Sequence, residues 1–126
     1  MFKRAKDFYQ RGKRGWADRD CWSLDCYLAG VMADSIEHLK NTNHGCPQIT
    51  PNYEHGEGHE KLWIAIQDVM IDGLKAHIAI TNMDWLEFDL DSGFDMKAYF
   101  RWEADKRKQF DAAWVLLGHY WGALWD

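Results

Sequence analysis

Apolar residues recur every three or four positions along three long segments of the chain, which is the spacing of one face of an α-helix. These segments run from about Arg19 to Lys40, from about His59 to Thr81, and from Asp95 to about Leu124. A shorter amphipathic segment precedes them and ends where Gly12 and Gly15 bracket two basic residues. The pattern predicts an all-α fold, an antiparallel bundle of three long helices plus a short N-terminal helix.

The first long segment is apolar on more than one side of its predicted helix. One register consists of Trp22, Cys26, Ala29, Ala33, Ile36 and Leu39, and a wider arc is made by Leu24, Leu28, Val31 and Met32. Because an arc this wide is typical of a helix buried on several sides, we expect this helix to be central in the bundle. Asp18 is its predicted N-cap.

The other two long segments each have one predicted apolar face. In the second segment that face is Leu62, Ile66, Val69, Met70, Leu74, His77 and Ile78, and the opposite face is Gln67, Asp68, Asp72 and Lys75. Asp95 is the predicted N-cap of the third. The apolar face of the third segment is interrupted from Glu103 to Gln109, either by a solvent-exposed turn or by a break between two helices. Strand-like alternation is confined to Trp85 to Leu90, so any sheet is at most a short ribbon.

Length and composition fit one globular domain. The chain has 126 residues, of which 47% are hydrophobic and 28% charged, enough for one core and too few for two. We therefore assign residues 1–126 to a single helical domain with a basic N-terminal arm (1–15), a long loop (41–58) and an acidic loop (82–94). The long loop exceeds an ordinary helix connection.

Charge is distributed unevenly. Six basic residues and one Asp give the basic arm +5, which leaves −10 on the remaining 111 residues of a chain whose net charge is −5. An acidic body repels phosphate backbones, so we expect no binding to duplex DNA. No segment has the apolar length of a membrane span or secretory leader, and Cys21, Cys26 and Cys46 form no disulfide framework. We expect no membrane association and a cytoplasmic location.

The basic arm contains the predicted ligand site. An anion is expected to bind at Arg11, Lys13, Arg14, Trp16 and Arg19, where positive charge, flanking glycines, a helix N-terminus and an indole face for stacking a base come together. In the alternative interpretation, Arg14 and Arg19 only pair with Asp18, Asp20 or Asp25. We expect Asp25 itself to be half-buried between Trp22 and Tyr27, and to bind an indole N–H or an arginine of the arm.

Two further clusters suggest metal chemistry. His44, Cys46, His55 and His59 have zinc-type ligands, but their spacing matches no established zinc family, and we expect hydrogen bonding within a loop and no bound metal or other cofactor. Paired acids loosely resemble the Mg²⁺-binding motifs of all-α nucleotide pyrophosphohydrolases. They are Glu57, Glu60, Asp84 and Glu87, of which Glu57 and Asp84 are predicted to lie in loops. The run from Asp89 to Gly93 lacks the ligands of an EF-hand.

The chain contains eight tryptophans, more than the core of a small bundle is expected to hold. Surplus aromatic surface is costly in water, so we expect a homo-oligomer.

The sequence RGWADRDCWSLD at residues 14–25, HGCP at 44–47, the later helix IAIQDVMIDGL and the terminal LWD resemble a pattern found in small bacteriophage-encoded helical proteins with no established activity. The matching residues of the first two motifs are Arg14, Gly15, Asp18, Asp20, Trp22, Asp25, His44, Gly45 and Pro47. The chain departs from the pattern at Ala17, where Ser is frequent, and in a longer loop after Pro47. The resemblance implies a phage accessory protein in the cytoplasm of a bacterial host.

These observations predict a non-enzymatic binding protein that captures a small anionic, nucleotide-like ligand or a host protein, with counter-defence as its hypothetical role. The alternatives are a Mg²⁺-dependent nucleotide pyrophosphohydrolase and a virion or assembly component.

Overall fold

A computed structural model describes residues 2–42, 45–47, 57–83 and 95–125. It contains four α-helices, α1 (Phe2–Arg14), α2 (Leu24–Thr42), α3 (Glu57–Asn82) and α4 (Met96–Tyr120), with short 3-10 helices at Asp18–Ser23 and Trp121–Ala123. No strand occurs in this part of the chain, so the predicted all-α fold is confirmed. The segment from Trp85 to Leu90, where a short ribbon was conceivable, lies outside the described residues.

The central helix is α3, which packs against both α2 and α4. The start of α2 meets the end of α3 through Asp25 and His77, and the end of α4 meets the start of α3 through Tyr120 and Trp63. Each neighbouring pair is therefore antiparallel. The prediction that the first long helix is central is wrong: α2 buries Ala29, Ala33 and Ile36 against α3, while Leu28 and Val31 are about half-exposed.

The core of the helical body (α2, α3 and α4) lies along one side of α3. Met70 and Leu74 are among the most deeply buried side chains, and α2 and α4 contribute Ala33, Ile36 and Leu117. Burial of this apolar surface is the main source of the stability of such a body.

The predicted faces of α3 need correction at three positions. Gln67 is buried, whereas Leu62 and Val69 are partly exposed. Gln67 lies four residues after Trp63 and three before Met70, so helix geometry places it on the core face whatever its polarity.

Gly73 sets the closest approach of α3 and α4. A Cβ atom at this position would collide with the Ala113 side chain and with the Gln109 carbonyl oxygen of α4. The two backbones meet here because neither Gly73 nor Ala113 has a side chain long enough to separate them. This crossing fixes α4 against the central helix.

The helix ends follow local chemistry. Asp95 is confirmed as the N-cap of α4, because its carboxylate accepts from the backbone N–H of Lys97 and Ala98, and α4 runs without a break through the polar segment 103–109. Asp18 is not the N-cap of α2. A 3-10 helix intervenes, and at its start the Ala17 N–H donates to Asp20 Oδ2 at 2.8 Å.

Candidate binding surfaces

The inner side of α1 is held to the 3-10 helix Asp18–Ser23 by charged groups. Arg11 donates through Nε to Asp20 Oδ2 at 2.9 Å and through a second guanidinium nitrogen to Asp20 Oδ1. Arg14 pairs with Asp18. Gln10 donates to Asp18 Oδ2 and accepts from the Asp18 N–H, both at 2.9 Å. Residues 2–23, which we call the N-terminal unit, are thus joined by a network of complementary polar groups.

The acidic members of this network are held in their charged form. Hydrogen bonds from Gln10 and then Arg14 lower the pKa of Asp18 to about 2. The hydrogen bond from Arg11 is the main reason that the pKa of Asp20 is also lowered to about 2. Both carboxylates are therefore ionised at neutral pH and neutralise the arginines beside them.

The predicted anion-binding residues lie in and next to this network. The Arg14 guanidinium lies over the Trp16 ring at 3.7 Å from its centroid and its Nε donates to the Trp16 carbonyl. Arg19 is 3.9 Å from Asp7. Lys13 has no ion-pair partner among the described residues. The structure thus brings the predicted residues together, but it pairs the arginines with carboxylates of the same unit.

Several backbone polar groups at this junction are also already hydrogen-bonded to other residues of the chain. Gly15 adopts a positive φ of 86°, and its carbonyl accepts from the Tyr27 hydroxyl at 2.6 Å. The N–H groups of Ala17 and Asp18 are bonded to Asp20 and Gln10. An anion would have to displace side chains that already satisfy these groups, and the anion site at the junction stays a prediction.

The outer side of α1 presents aromatic side chains to solvent. Phe2, Phe8 and Tyr9 are 90%, 81% and 65% exposed, and α1 contributes no buried residue. Arg4 lies one turn before Phe8 and Lys13 one turn after Tyr9, so both cations border the aromatic side chains. We call these five residues the outer face of α1. An amphipathic helix normally buries its apolar side, but this one is docked by its charged side.

The sequence predicts an amphipathic N-terminal segment, but it did not predict that Phe2, Phe8 and Tyr9 are exposed. The sequence feature that could have predicted this orientation of α1 is the position of the acidic residues after it. Asp18 and Asp20 follow α1 closely, so they attract the side of the helix that carries Arg11 and Arg14. The aromatic side then points away from the chain.

Asp25 was predicted to be half-buried and bonded to an indole or an arm arginine, and both predictions are wrong. Its side chain is 61% exposed, and its partner is His77 of α3, at 2.6 Å between Oδ2 and Nε2. This bond is the main reason that the pKa of Asp25 is lowered. The Cys26 thiol lies nearby, with all three potential ligand atoms within 4.8 Å of one another. The Asp25–His77 contact joins the start of α2 to the end of α3.

Part of the predicted zinc set lies in the described residues. A ring nitrogen of the buried His59 contacts the Pro47 carbonyl oxygen, which attaches residues 45–47 to the start of α3. Burial raises the pKa of the Cys46 thiol. His44 and His55 lie outside the described residues, so the full set of four stays untested.

The acidic set is also only partly described. Glu57 begins α3, so its predicted loop position is wrong, and Glu60 lies about one turn further along the same helix. Asp84 and Glu87 lie outside the described residues. The arrangement of the four carboxylates around a metal ion therefore stays a hypothesis.

No helix in the described part of the chain is long and apolar enough to cross a membrane. No protein-family model, curated protein or solved structure matches this sequence.

Proposed function

We propose that this protein is a non-enzymatic binding protein that captures a host protein through the outer face of α1. The supporting observation is the orientation of α1, which places its charged side against the 3-10 helix and leaves Phe2, Phe8 and Tyr9 exposed. Aromatic side chains bordered by cations are the composition of protein-binding hot spots.

The composition of the outer face defines the chemistry of the partner. The aromatic rings require an apolar groove, and Arg4 and Lys13 require carboxylates at its border. A bilayer of anionic lipids shares part of this chemistry. Residues 16–126 carry −10, however, and would be repelled by an extended anionic surface, whereas a protein groove contacts the helix alone.

The resemblance to small bacteriophage-encoded proteins agrees with this function. A non-enzymatic accessory protein would act by occupying a surface of a host protein, and counter-defence is the role we propose for such binding. The small anionic ligand predicted at the junction is less well supported, because Arg11 and Arg14 are already neutralised by Asp20 and Asp18.

Site-specific photo-cross-linking tests the proposal in bacterial cells that produce the protein. A photoreactive phenylalanine analogue at position 8 lies on the outer face, and the same analogue at position 115 lies on α4, where Val115 is 70% exposed. We expect one protein adduct from position 8 and none from position 115. The partner is then identified by mass spectrometry and purified, and its affinity is measured with the wild type and with Phe8→Glu.

We expect Phe8→Glu to weaken binding to the purified partner at least tenfold, because it places a buried, unpaired charge in an apolar groove. Its melting temperature should not change, since Phe8 contacts no core. Arg14→Ala is the comparison variant: binding lost without a change in melting temperature would favour the predicted junction site instead.

Three further results would contradict the proposal. The adduct could be a second copy of the chain, which light scattering would report as a dimer and which would support the predicted homo-oligomer. The protein could sediment with anionic-lipid vesicles without forming a protein adduct. Finally, Phe8→Glu could bind the purified partner as tightly as the wild type.

A further inference from the structure

A small cavity lies between the end of α2, residues 45–46 and the first half of α3. Its volume is about 210 Å³, the space of about seven water molecules in the liquid. Lys40, Cys46, Glu60, Trp63 and Gln67 line it. It is separate from α1 and from the partner surface proposed above.

Two buried donors in the cavity wall lack acceptors within the part of the chain that the structure describes. Trp63 and Gln67 are 2% and 1% exposed, and neither Trp63 Nε1 nor Gln67 Nε2 has a hydrogen-bond partner among the described residues. Buried polar groups are nearly always satisfied by protein, water or ligand. Two such donors lining the same cavity would both be satisfied by a ligand that supplies acceptor oxygens.

The charge around the cavity limits that ligand to at most one negative charge, because Lys40 is the one cation among the described lining residues. The Lys40 ammonium donates to Asp68 Oδ1 at 2.7 Å, a bond that raises the pKa of Lys40 and uses one of its three N–H donors. Burial raises the pKa of Cys46, so this thiol adds no negative charge at neutral pH. Glu60 is exposed and carries a negative charge that disfavours a dianion.

We propose that this cavity binds a small monocarboxylate whose oxygens accept hydrogen bonds from Trp63 Nε1 and Gln67 Nε2 beside the Lys40 ammonium. The volume limits the ligand to a few non-hydrogen atoms, well below the size of a nucleotide. Acetate and lactate are suitable probes. Inorganic phosphate tests whether the preference is for a monocarboxylate or for oxyanions in general.

Nuclear magnetic resonance of the full chain measures ligand binding at both donors, through the resonances of the Trp63 indole and the Gln67 side-chain amide. The Trp63 indole and Gln67 amide resonances are assigned by comparison with Trp63→Phe and Gln67→Leu. Acetate, lactate and phosphate are then titrated to tens of millimolar at constant ionic strength. We expect acetate and lactate to shift both resonances in a saturable manner, with phosphate binding more weakly.

Gln67→Leu separates binding from folding. It replaces the unsatisfied amide with an apolar side chain of similar size, so we expect the melting temperature to be unchanged or higher. Affinity for lactate, followed through the Trp63 indole, should fall about tenfold or more because a hydrogen bond to a charged group is lost.

Lys40→Met and Lys75→Met form a matched pair, since both lysines bridge α2 and α3 but only Lys40 lines the cavity. We expect the first variant to weaken lactate binding about tenfold and the second to leave it unchanged. The proposal is overturned if neither carboxylate produces a saturable shift, if phosphate binds more tightly than lactate, or if Gln67→Leu binds lactate as the wild type does.

Discussion

The N-terminal unit and the helical body of this protein differ in the interactions that hold each of them together internally. In the unit, α1 buries no residue and is attached through Arg11, Arg14 and Gln10 to acids of the 3-10 helix. In the body, α3 buries apolar side chains such as Met70 and Leu74 against its neighbours. The Arg14–Asp18 pair is exposed, and such pairs are weak and sensitive to salt. The carboxylate of the Arg11–Asp20 pair is buried, so salt should weaken that pair less. Apolar burial in the body does not depend on ion pairing. We therefore expect acid and salt to loosen the attachment of α1 before the body unfolds.

Removing core volume from the body should have the largest effect. Leu74→Ala is expected to lower the free energy of unfolding by about 3 to 4 kcal/mol, because it removes a buried side chain and leaves a cavity. Chemical denaturation monitored by far-UV circular dichroism measures this loss. Leu28→Ala, at a site that is 47% exposed, is the control and should cost less than about 1 kcal/mol. Equal losses would mean that the core is not centred on α3.

A substitution at the crossing of α3 and α4 should lower the free energy of unfolding by nearly as much. Gly73→Ala is expected to cost about 2 to 3 kcal/mol, because the new methyl group meets the Gln109 backbone and the Ala113 side chain and forces the helices apart. Gly118→Ala in α4 meets no atom within 4 Å and should gain about 0.5 to 1 kcal/mol from helix propensity. A gain in melting temperature from Gly73→Ala would contradict the close approach.

In the N-terminal unit a glycine-to-alanine substitution should have only a local effect. Gly15→Ala places a side chain at a positive φ, which costs roughly 1 to 2 kcal/mol and strains the turn after α1. We expect faster amide exchange in residues 2–14 and a nearly unchanged melting temperature for the body. Gly12→Ala, at an open helical position, is the matched control and should slow exchange in α1. If Gly15→Ala lowered the stability of the body as well, the two regions would be coupled.

Low pH should release α1 from the 3-10 helix, and among these predictions it should affect the stability of the body least. The pKa values of Asp18 and Asp20 are about 2 in the folded chain, below their usual value near 4. Because the folded-state pKa values are lowered, the stabilisation is complete above about pH 4 and is lost as the pH falls toward 2. The Trp16 indole and Gly15 amide resonances should shift in this window.

High ionic strength at neutral pH provides the control for this titration, because it should weaken the exposed Arg14–Asp18 pair without protonating any carboxylate. Resonances of Leu74 should stay constant under high salt. Resonances of α1 that respond to neither acid nor salt would contradict attachment by ion pairs.

Several features of the molecule were predictable because they depend on neighbours in the chain. The helical segments follow from the spacing of apolar residues, and the Asp95 cap follows from a carboxylate that reaches N–H groups two and three residues later. The all-α class follows from the same spacing in each segment. Arg14 and Arg19 were predicted either to bind a ligand or to pair with Asp18, Asp20 or Asp25. The pair of Arg14 with Asp18 is observed, whereas Arg19 lies near Asp7.

What the sequence by itself determined is therefore local: where helices form, which charges lie close along the chain, and how the N-terminal unit differs from the body in charge. Only the tertiary structure decided that α3 is central, that Gln67 faces the cavity beside Trp63, that Asp25 pairs with His77, and that α1 turns its aromatic side outward. These outcomes depend on which helix faces meet, and the same amphipathic pattern is compatible with several such arrangements. The choice among them was made by contacts between distant residues, of which the approach at Gly73 is one.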